Sequence, residues 1–237
     1  DELKAKGFQG IFVGSGAGLP NFMDIPGENA LNIMSSNEYL TRVNLMDATN
    51  PSTDTPINLG KKVLVVGGGN TAMDSCRTAK RLGADVTLVY RRSEAEMPAR
   101  IEEVKHAKEE GIKFLTLHNP KEYLTDENGA VKAAVLDVMQ LGEPDQSGRR
   151  RPETTGETIT IECDQVIVAV GVSPNPLVPK SIEGLTLGRK NTIAVNDQMQ
   201  SSRKEIYAGG DIVRGGATVI LAMGDGRRAA MNMSKQL

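Results

Sequence analysis

The feature that most constrains the fold is a run of glycines that follows a continuous apolar stretch. Val63-Leu64-Val65-Val66 has the unbroken hydrophobicity of a strand buried on both faces of a parallel sheet. Gly67-Gly68-Gly69-Asn70-Thr71-Ala72 then fits the pattern GxGxxA, and residues 70–82 are predicted to form a helix that Gly83 ends. The next strand follows at residues 85–90, which completes a strand–helix–strand unit. This order predicts a parallel-sheet α/β fold of the dinucleotide-binding type.

Each position of the glycine pattern has its own physical purpose. Gly67 permits a tight turn, Gly69 lets the backbone approach a pyrophosphate, and the small Ala72 lets helix and strand pack closely. The helix N-terminus, which begins at Asn70 and Thr71, offers free N–H groups and a partial positive charge to phosphates. We therefore predict that Gly67 and Gly69 belong to a dinucleotide site, with a glycine turn that binds no ligand as the alternative.

The residues that follow the second strand indicate which dinucleotide is bound. Folds that bind NAD usually place a carboxylate there to accept hydrogen bonds from the ribose, whereas this chain has Arg91 and Arg92. Two guanidinium groups can hold a 2′-phosphate by charge-assisted hydrogen bonds, and a carboxylate would repel that phosphate. The sequence thus favours NADP(H) over NAD(H), with a solvated arginine pair on a surface loop as the alternative.

The C-terminal part contains a second glycine segment, Ile206-Tyr207-Ala208-Gly209-Gly210-Asp211. A short strand that ends in glycines and an aspartate suits a flavin site, where the carboxylate accepts hydrogen bonds from the ribityl chain. Thr218 and Val219 then begin a predicted last helix, whose N-terminal dipole would stabilise charge on a reduced flavin. From spacing alone, a plain glycine turn is the alternative.

Six segments, in this order along the chain, resemble one known family. The segments are VVGGGNTAMD (65–74), VYRRSEAEMPAR (89–100), LGEPDQSGRRR (141–151), VAVGVSPNP (168–176), IYAGGDIVRG (206–215) and ATVILAMGDGRRAA (217–230). Together they are similar to the NADPH-dependent glutamate synthase small subunit. The wider group includes the large subunit of an electron-bifurcating ferredoxin:NADP oxidoreductase and the flavin part of dihydropyrimidine dehydrogenase.

The resemblance implies a flavoprotein with two dinucleotide folds, in which hydride passes between NADP(H) and FAD. Electrons then move singly through iron–sulfur clusters to a partner, such as a glutamate synthase large subunit or a similar electron-accepting subunit. Gly171 lies where the chain crosses back to the flavin domain. The positions implied to bind NADP(H) are Gly67, Gly69, Asn70, Thr71, Arg91 and Arg92. The positions implied to contact FAD are Gly16, Gly210, Asp211, Thr218 and Val219.

The chain also departs from the family pattern. Members begin with a cysteine-rich cluster-binding domain and a first GxGxxG unit for the FAD pyrophosphate, and we find neither among the 237 residues. We therefore expect a C-terminal fragment that binds FAD weakly or not at all. Residues 1–58 are predicted to be a portion of the FAD domain and a linker, 59–171 the NADP(H)-binding domain, and 172–237 the returning segment of the FAD domain. The expected architecture is a Rossmann-like domain with a small antiparallel layer, plus a partial FAD-binding domain formed by both chain ends.

Local patterns refine this architecture. Residues 10–13 and 205–208 are predicted strands of one shared sheet, and the polar segment 47–58, with its two prolines, is the predicted linker. Residues 131–139 and 158–163 are predicted to pair in the antiparallel layer, separated by a polar loop over residues 142–156. The arginine run 149–151 in that loop is predicted to be solvated, with docking to an acidic partner as the alternative.

Composition excludes several other functions. The net charge of −2 gives no reason to expect nucleic acid binding, and the absence of an apolar run of about 18 residues argues against a membrane span, so we predict a cytoplasmic protein. Cys76 and Cys163 form no CxxC pair, which argues against a thioredoxin-reductase-like dithiol enzyme and against cluster ligation. His106 and His118 share no ligand spacing, so we predict no metal site. We also predict no catalytic side chain, because hydride transfer between bound cofactors requires none. An NADP(H)-binding or subunit-docking module without activity of its own remains the alternative function.

Overall fold

A computed structural model describes residues 2–146, 148 and 150–236, so Arg149 of the predicted arginine loop lies outside the described residues. The strands are β1 (Ile11–Val13), β2 (Leu19–Pro20), β3 (Ile33–Ser35), β4 (Lys62–Val66), β5 (Asp85–Tyr90), β6 (Lys113–Thr116), β7 (His118–Thr125), β8 (Val131–Pro144), β9 (Arg150–Glu162), β10 (Gln165–Val168), β11 (Val172–Ser173) and β12 (Ile206–Ala208). The α-helices are α1 (Glu2–Ala5), α2 (Ser36–Asn44), α3 (Asn70–Arg81), α4 (Ile101–Glu109), α5 (Leu177–Ser181), α6 (Asp211–Arg214) and α7 (Val219–Gln236). Short 3-10 turns cover Glu94–Glu96 and Arg189–Asn191.

The chain forms two compact units. The central unit runs from Pro20 to Gly171, and the terminal unit combines the residues up to Leu19 with those from Val172 onward. The core of the central unit is a five-stranded sheet in the order β3-β10-β4-β5-β6, with every neighbouring pair parallel. The predicted α/β fold with a parallel sheet is therefore confirmed.

Alternation along β4 explains why its sequence is apolar without a break. Val63 and Val65 face one cluster that includes α3 residues, whereas Leu64 and Val66 face a second cluster that includes residues of β7 and β8. Because both faces are covered, neither set of side chains can be polar. The glycine turn that follows β4 is thus held on a strand buried on both sides.

The central unit begins earlier than the predicted domain boundary near residue 59. β3 pairs in parallel with β10, with Ile33 opposite Val166, and Tyr39 of α2 is buried in the same apolar cluster as α3. Ser35 caps α2, since its side chain accepts a hydrogen bond from the Glu38 N–H. The polar segment 47–58 consequently connects two parts of one unit instead of separating two units.

The antiparallel layer consists of β7, β8 and β9. The predicted pairing of its last two strands is confirmed, with Ala134 opposite Ile161. The predicted loop over residues 142–156 is wrong, because β8 continues to Pro144 and β9 begins at Arg150, with Gln140 opposite Glu153. Backbone hydrogen bonds sustain this ribbon, although β9 is mostly exposed and polar there.

The terminal unit contains a parallel pair of strands, β1 and β12, in which Ile11 lies opposite Ile206 and Val13 opposite Ala208. The prediction that the two chain ends share a sheet is confirmed. β2 and β11 form a second two-stranded sheet. Within the described part of the chain, no helix has both the length and the apolar character needed to cross a bilayer.

Candidate functional site

The glycine turn lies at the carboxyl edge of the parallel sheet, between two neighbouring strands. The Gly67 N–H donates to the Val89 carbonyl at 3.0 Å, which joins the end of β4 to the end of β5. Gly67 has φ 142°, and a Cβ at this position would collide with the Ala169 carbonyl oxygen. Only glycine satisfies both the dihedral angle and the close approach, so the predicted role of Gly67 in the turn agrees with the geometry.

The helix that follows the turn presents its N-terminus to open space. Gly69 is the N-cap of α3, no side chain caps the helix, and its first turn contains no acidic residue. A Cβ at Gly69 would meet no atom within 4 Å, and Asn70 and Thr71 are exposed. The first N–H groups of an α-helix have no partner inside the helix, so this end can accept an anion such as a pyrophosphate.

The two predicted arginines follow β5 at the same edge but differ in their surroundings. Arg91 is exposed, whereas Arg92 is only 8% exposed and its Nε atom is buried without a hydrogen-bond partner. Within the described residues, neither guanidinium group forms an ion pair with a carboxylate. A buried, unpaired cation at the end of this strand fits a site for an anionic ligand.

A pinned loop, residues 93–100, covers the glycine turn, and the sequence analysis did not identify its contacts. Ser93 and Glu96 form a capping box, which the Ser-x-x-Glu spacing could have signalled. The Tyr90 hydroxyl donates to the Glu96 carbonyl at 2.9 Å. The Ala99 N–H donates to the Gly68 carbonyl at 3.1 Å, and the Arg100 N–H donates to Oδ1 of Asn70 at 2.9 Å.

Gly171 ends the central unit near the same edge of the sheet. It follows β10, whose residue Val168 lies opposite Val66 of β4, and its carbonyl accepts a hydrogen bond from the Asn21 N–H at 3.0 Å. The structure thus brings Gly67, Gly69, Asn70, Thr71, Arg91, Arg92 and Gly171 to one edge of the central unit.

The remaining predicted residues lie together in the terminal unit. Gly16 follows β1, and Gly210 follows the neighbouring β12. The ends of these two strands are joined by the Gly209 N–H, which donates to the Val13 carbonyl at 3.3 Å. Asp211 begins α6, and its Oδ1 accepts a hydrogen bond from the Ala217 N–H at 3.1 Å. Thr218 precedes α7, whose first residue, Val219, is 75% exposed.

An ion pair between Asp225 and Arg214 holds the segment that begins at Gly210, and the sequence patterns did not indicate it. The α7 residue Asp225 is 1% exposed and accepts hydrogen bonds from Nε and Nη2 of Arg214, both at 2.6 Å. Its Oδ2 also accepts the Gly210 N–H at 3.1 Å. The Arg214 hydrogen bond is the main cause that lowers the pKa of Asp225. An aspartate two residues after the apolar run 219–223 of α7 was the available signal.

The two cysteines are both buried free thiols. Burial raises the pKa of Cys163 to about 12 and also raises the pKa of Cys76. A thiol of this kind is a poor nucleophile at neutral pH, because the thiolate is the reactive form. Dithiol chemistry by this pair therefore has no support in the structure.

Comparison with known families now adds to this geometry. Residues 3–226 match the model of the pyridine nucleotide-disulphide oxidoreductase family. The chain belongs to this family. The membership agrees with a glycine turn at the carboxyl edge of a parallel sheet.

Two relatives illustrate the range of proteins to which the sequence is similar. The chain is 37% identical over 243 residues to the NADP(+)-dependent formate dehydrogenase subunit beta of Moorella thermoacetica, a match that covers all of this chain and 33% of the relative. It is 42% identical over 177 residues to the glutamate synthase [NADPH] small chain of Escherichia coli K12, covering 72% of this chain and 38% of the relative. The match thus spans between 33% and 38% of the length of each relative. The predicted resemblance to the glutamate synthase small subunit is confirmed.

Among solved structures, FprA of Mycobacterium tuberculosis in complex with NADPH has a TM-score of 0.79 at 18% identity. The match covers 99% of this chain and 65% of that one. At this identity the likeness shows the fold.

Proposed function

We propose that this chain is an NADPH-linked flavin oxidoreductase module that passes hydride between NADP(H) and FAD. Electrons are relayed to or from iron–sulfur clusters of a partner, most closely in the manner of a glutamate synthase small subunit. Family membership supports the oxidoreductase class, and the names of the two relatives support NADP(H) as the nucleotide.

The observation that carries the NADP(H) assignment is the unpaired Arg92. Burying a guanidinium group without a partner is costly, so a protein gains little from it unless a ligand supplies the partner. A 2′-phosphate has the charge and the oxygen geometry to accept hydrogen bonds from Arg91 and Arg92 together. The pyrophosphate is assigned to Gly69, Asn70 and Thr71 at the exposed N-terminus of α3.

The flavin assignment is supported by the loop in the terminal unit. Gly16 and Gly210 follow adjacent parallel strands, a position where a backbone can approach a cofactor closely. Asp211 would accept hydrogen bonds from the ribityl chain, and Thr218 and Val219 would place the positive end of α7 near the ring. When bound, the flavin supplies two-electron chemistry with NADP(H) and one-electron chemistry with clusters.

The partner is proposed from the relatives. One is named as a subunit beta and the other as a small chain, so each is one component of a larger enzyme. We propose a glutamate synthase large subunit or a similar electron-accepting subunit for this chain. An acceptor of the ferredoxin:NADP oxidoreductase or dihydropyrimidine dehydrogenase type would use the same module.

A second candidate function is an NADP(H)-binding or subunit-docking module without its own activity. The observation in its favour is the apolar start of α7, where Val219 is 75% and Ile220 is 80% exposed. Exposed apolar side chains in a cluster are typical of a surface that another polypeptide covers.

Three measurements on the purified protein test these functions. Calorimetric titration is expected to show tighter binding of NADPH than of NADH, and equal affinities would contradict the NADP(H) assignment. An absorbance spectrum reports flavin, and NADPH oxidation with an artificial electron acceptor reports hydride transfer. In a protein that contains the full FAD fold of the family, NADPH binding without a flavin spectrum after FAD is added would favour the docking module.

A further inference from the structure

The pinned loop carries a third arginine at the point where the loop meets the glycine turn. The Arg100 N–H donates to Oδ1 of Asn70, the first residue of α3, and the preceding Ala99 N–H donates to the Gly68 carbonyl. Two hydrogen bonds therefore fix the backbone of residues 99 and 100 against the turn and the helix N-terminus. The Arg100 side chain leaves the backbone from this fixed point and is exposed.

Carboxylates are available near Arg100, because the neighbouring arginines of α3 form ion pairs with them. Arg77 on α3 forms ion pairs with Glu103 and Glu110 at 2.8 and 2.9 Å, and Arg81 pairs with Glu110 at 2.7 Å. Within the described residues, Arg100 forms no ion pair, although Glu103 lies one turn further along its own helix. Arg77 and Arg81 are thus neutralised by glutamates of the α4 region, whereas Arg100 has no carboxylate partner among the described residues.

The charge of Arg100 acts on the first part of α3. Partial desolvation and Glu103 raise the pKa of Asp74, while Arg77 and Arg100 act in the opposite direction. Asp74 lies one turn after Asn70, so the Arg100 charge is felt along the first turns of the helix.

We propose that Arg100 binds the pyrophosphate of the dinucleotide, separately from the 2′-phosphate that Arg91 and Arg92 bind. The inference rests on the proposed NADP(H) function and deepens it by dividing three arginines between two phosphate groups. Because Asn70 begins α3, a side chain anchored on it lies beside the helix N-terminus, where a dinucleotide fold places the pyrophosphate. Arg91 and Arg92 follow the end of β5, where the adenosine ribose lies.

This division predicts different nucleotide preferences. The pyrophosphate is common to NADPH and NADH, so Arg100 strengthens the binding of both equally. The 2′-phosphate belongs to NADPH alone, so the other two arginines strengthen NADPH selectively. ADP and 2′-AMP separate the two effects, because the first has the pyrophosphate without the 2′-phosphate and the second has the reverse.

The variant Arg100→Ala is suited to the test because it leaves the local structure in place. Arg100 is the N-cap residue of α4, but its side chain makes no capping hydrogen bond, and its contact with Asn70 uses the backbone N–H. Arg100→Lys retains a charge without the forked geometry. Lys105→Ala removes one positive charge from an exposed residue of the same helix and is the matched control.

The experiment is calorimetric titration of the 237-residue chain and its variants with NADPH, NADH, ADP and 2′-AMP. We expect Arg100→Ala to weaken NADPH, NADH and ADP by about tenfold each and to leave 2′-AMP unchanged. Arg100→Lys is expected to recover part of the loss, and Lys105→Ala to change none of the four affinities.

Two results would overturn the inference while the proposed function stands. In the first, Arg100→Ala changes no affinity although the unmodified chain binds NADPH. In the second, it weakens NADPH and 2′-AMP but leaves NADH and ADP unchanged, which would assign Arg100 to the 2′-phosphate. Failure of the unmodified chain to bind NADPH would instead contradict the proposed function, and with it this inference.

Discussion

The central and terminal units each bury a charged side chain, and the two charges have opposite surroundings. In the terminal unit, Asp225 is 1% exposed and accepts three hydrogen bonds, two of them from Arg214. In the central unit, Arg92 is 8% exposed, its Nε has no hydrogen-bond partner, and it forms no ion pair within the described residues. The charge of Asp225 is neutralised within the fold by Arg214. The charge of Arg92 has no such partner among the described residues.

We call Asp225 the structural charge, because its partners lie within the fold, and Arg92 the binding charge, because it has no such partner among the described residues. A buried polar group without a partner costs about 1–3 kcal/mol of folding free energy. The terminal unit avoids this cost, and the central unit accepts it at the edge where the glycine turn meets β5. We infer that Asp225 serves the stability of its loop, whereas Arg92 serves a ligand at the expense of stability.

The largest expected effect concerns the binding charge. Replacing Arg91 and Arg92 together by Ala should weaken NADPH about one hundred-fold or more and leave NADH nearly unchanged. Each charge-assisted hydrogen bond contributes about 1.5–3 kcal/mol, and every 1.4 kcal/mol is about tenfold in affinity. Calorimetric titration with both nucleotides measures the change.

A matched control is available for this double variant. Arg150 and Arg151 on β9 are likewise two adjacent arginines of the central unit, and both are exposed. Replacing both by Ala makes the same change in net charge and should leave the NADPH affinity within about twofold, because exposed distant charges are screened by salt. An equal loss in the two double variants would reduce the assignment to a general charge effect.

The second effect concerns the structural charge. Asp225→Ala should lower the free energy of unfolding of the terminal unit by about 2 kcal/mol, since it leaves the buried Gly210 N–H and the Arg214 guanidinium unpaired. The figure is below that for a fully buried pair, because Arg214 reaches solvent. Hydrogen exchange measured on β12 and α7 reports this unit separately.

The control for this variant is Asp197→Ala, which removes an exposed aspartate from a loop of the same unit. Its exchange rates should match those of the unmodified chain. Exchange that is equally fast in both variants would indicate that the Asp225 pair has no special role.

The third expected effect is a gain in stability instead of a loss. Arg92→Met replaces the unpaired cation by an apolar side chain of similar length, so it should raise the stability of the central unit by about 1 kcal/mol while weakening NADPH. Arg91→Met, at the exposed neighbour, should weaken NADPH without this gain. Urea unfolding gives both stabilities, and a loss of stability in Arg92→Met would show that Arg92 has a structural partner.

Local patterns predicted one part of the fold well. β4, α3 and β5 follow from hydrophobic runs, glycine punctuation and helical periodicity within some thirty residues, and the structure has each within one residue of its predicted bounds. The pairing of β1 with β12 required the family resemblance, because sequence spacing alone does not identify strands at opposite ends of a chain as neighbours.

Long-range packing decided what the sequence did not reveal. β3 is three residues long and gains its place from pairing with β10, so the boundary of the central unit could not be found from the proline-containing segment after it. The contacts Asn70–Arg100 and Asp225–Arg214 were hidden for a similar reason. Each joins residues whose separation depends on how two elements pack.

The smallest effect is a pH dependence of the structural charge. The hydrogen bond from Arg214 lowers the pKa of Asp225 in the folded state, and the Gly210 N–H and the charges of Arg214 and Arg228 act in the same direction. An unfolded aspartate has a pKa of about 3.9. A lowered folded pKa means that the unfolded state binds the proton more readily, so acid favours unfolding. The stabilisation from Asp225 is therefore complete above about pH 5 and declines as the pH falls below about 4 through the folded pKa.

Comparison with Asp225→Asn isolates this contribution from other carboxylates. Glu205 also lies in the terminal unit, and its hydrogen bond from Lys4 is the main cause that lowers its pKa to about 2, so acid alone weakens the unit through several groups. The amide introduced by the substitution does not titrate, whereas Glu205 titrates in both proteins. The difference in hydrogen-exchange protection of α7 between the two proteins should stay constant from about pH 7 to 5 and narrow towards about pH 3, after correction for intrinsic exchange rates.

A difference that stays constant down to about pH 3 would mean that the Asp225 charge adds nothing to the stability of this unit. Asp225 would then act through shape and neutral hydrogen bonds, and the contrast with Arg92 would concern packing instead of charge.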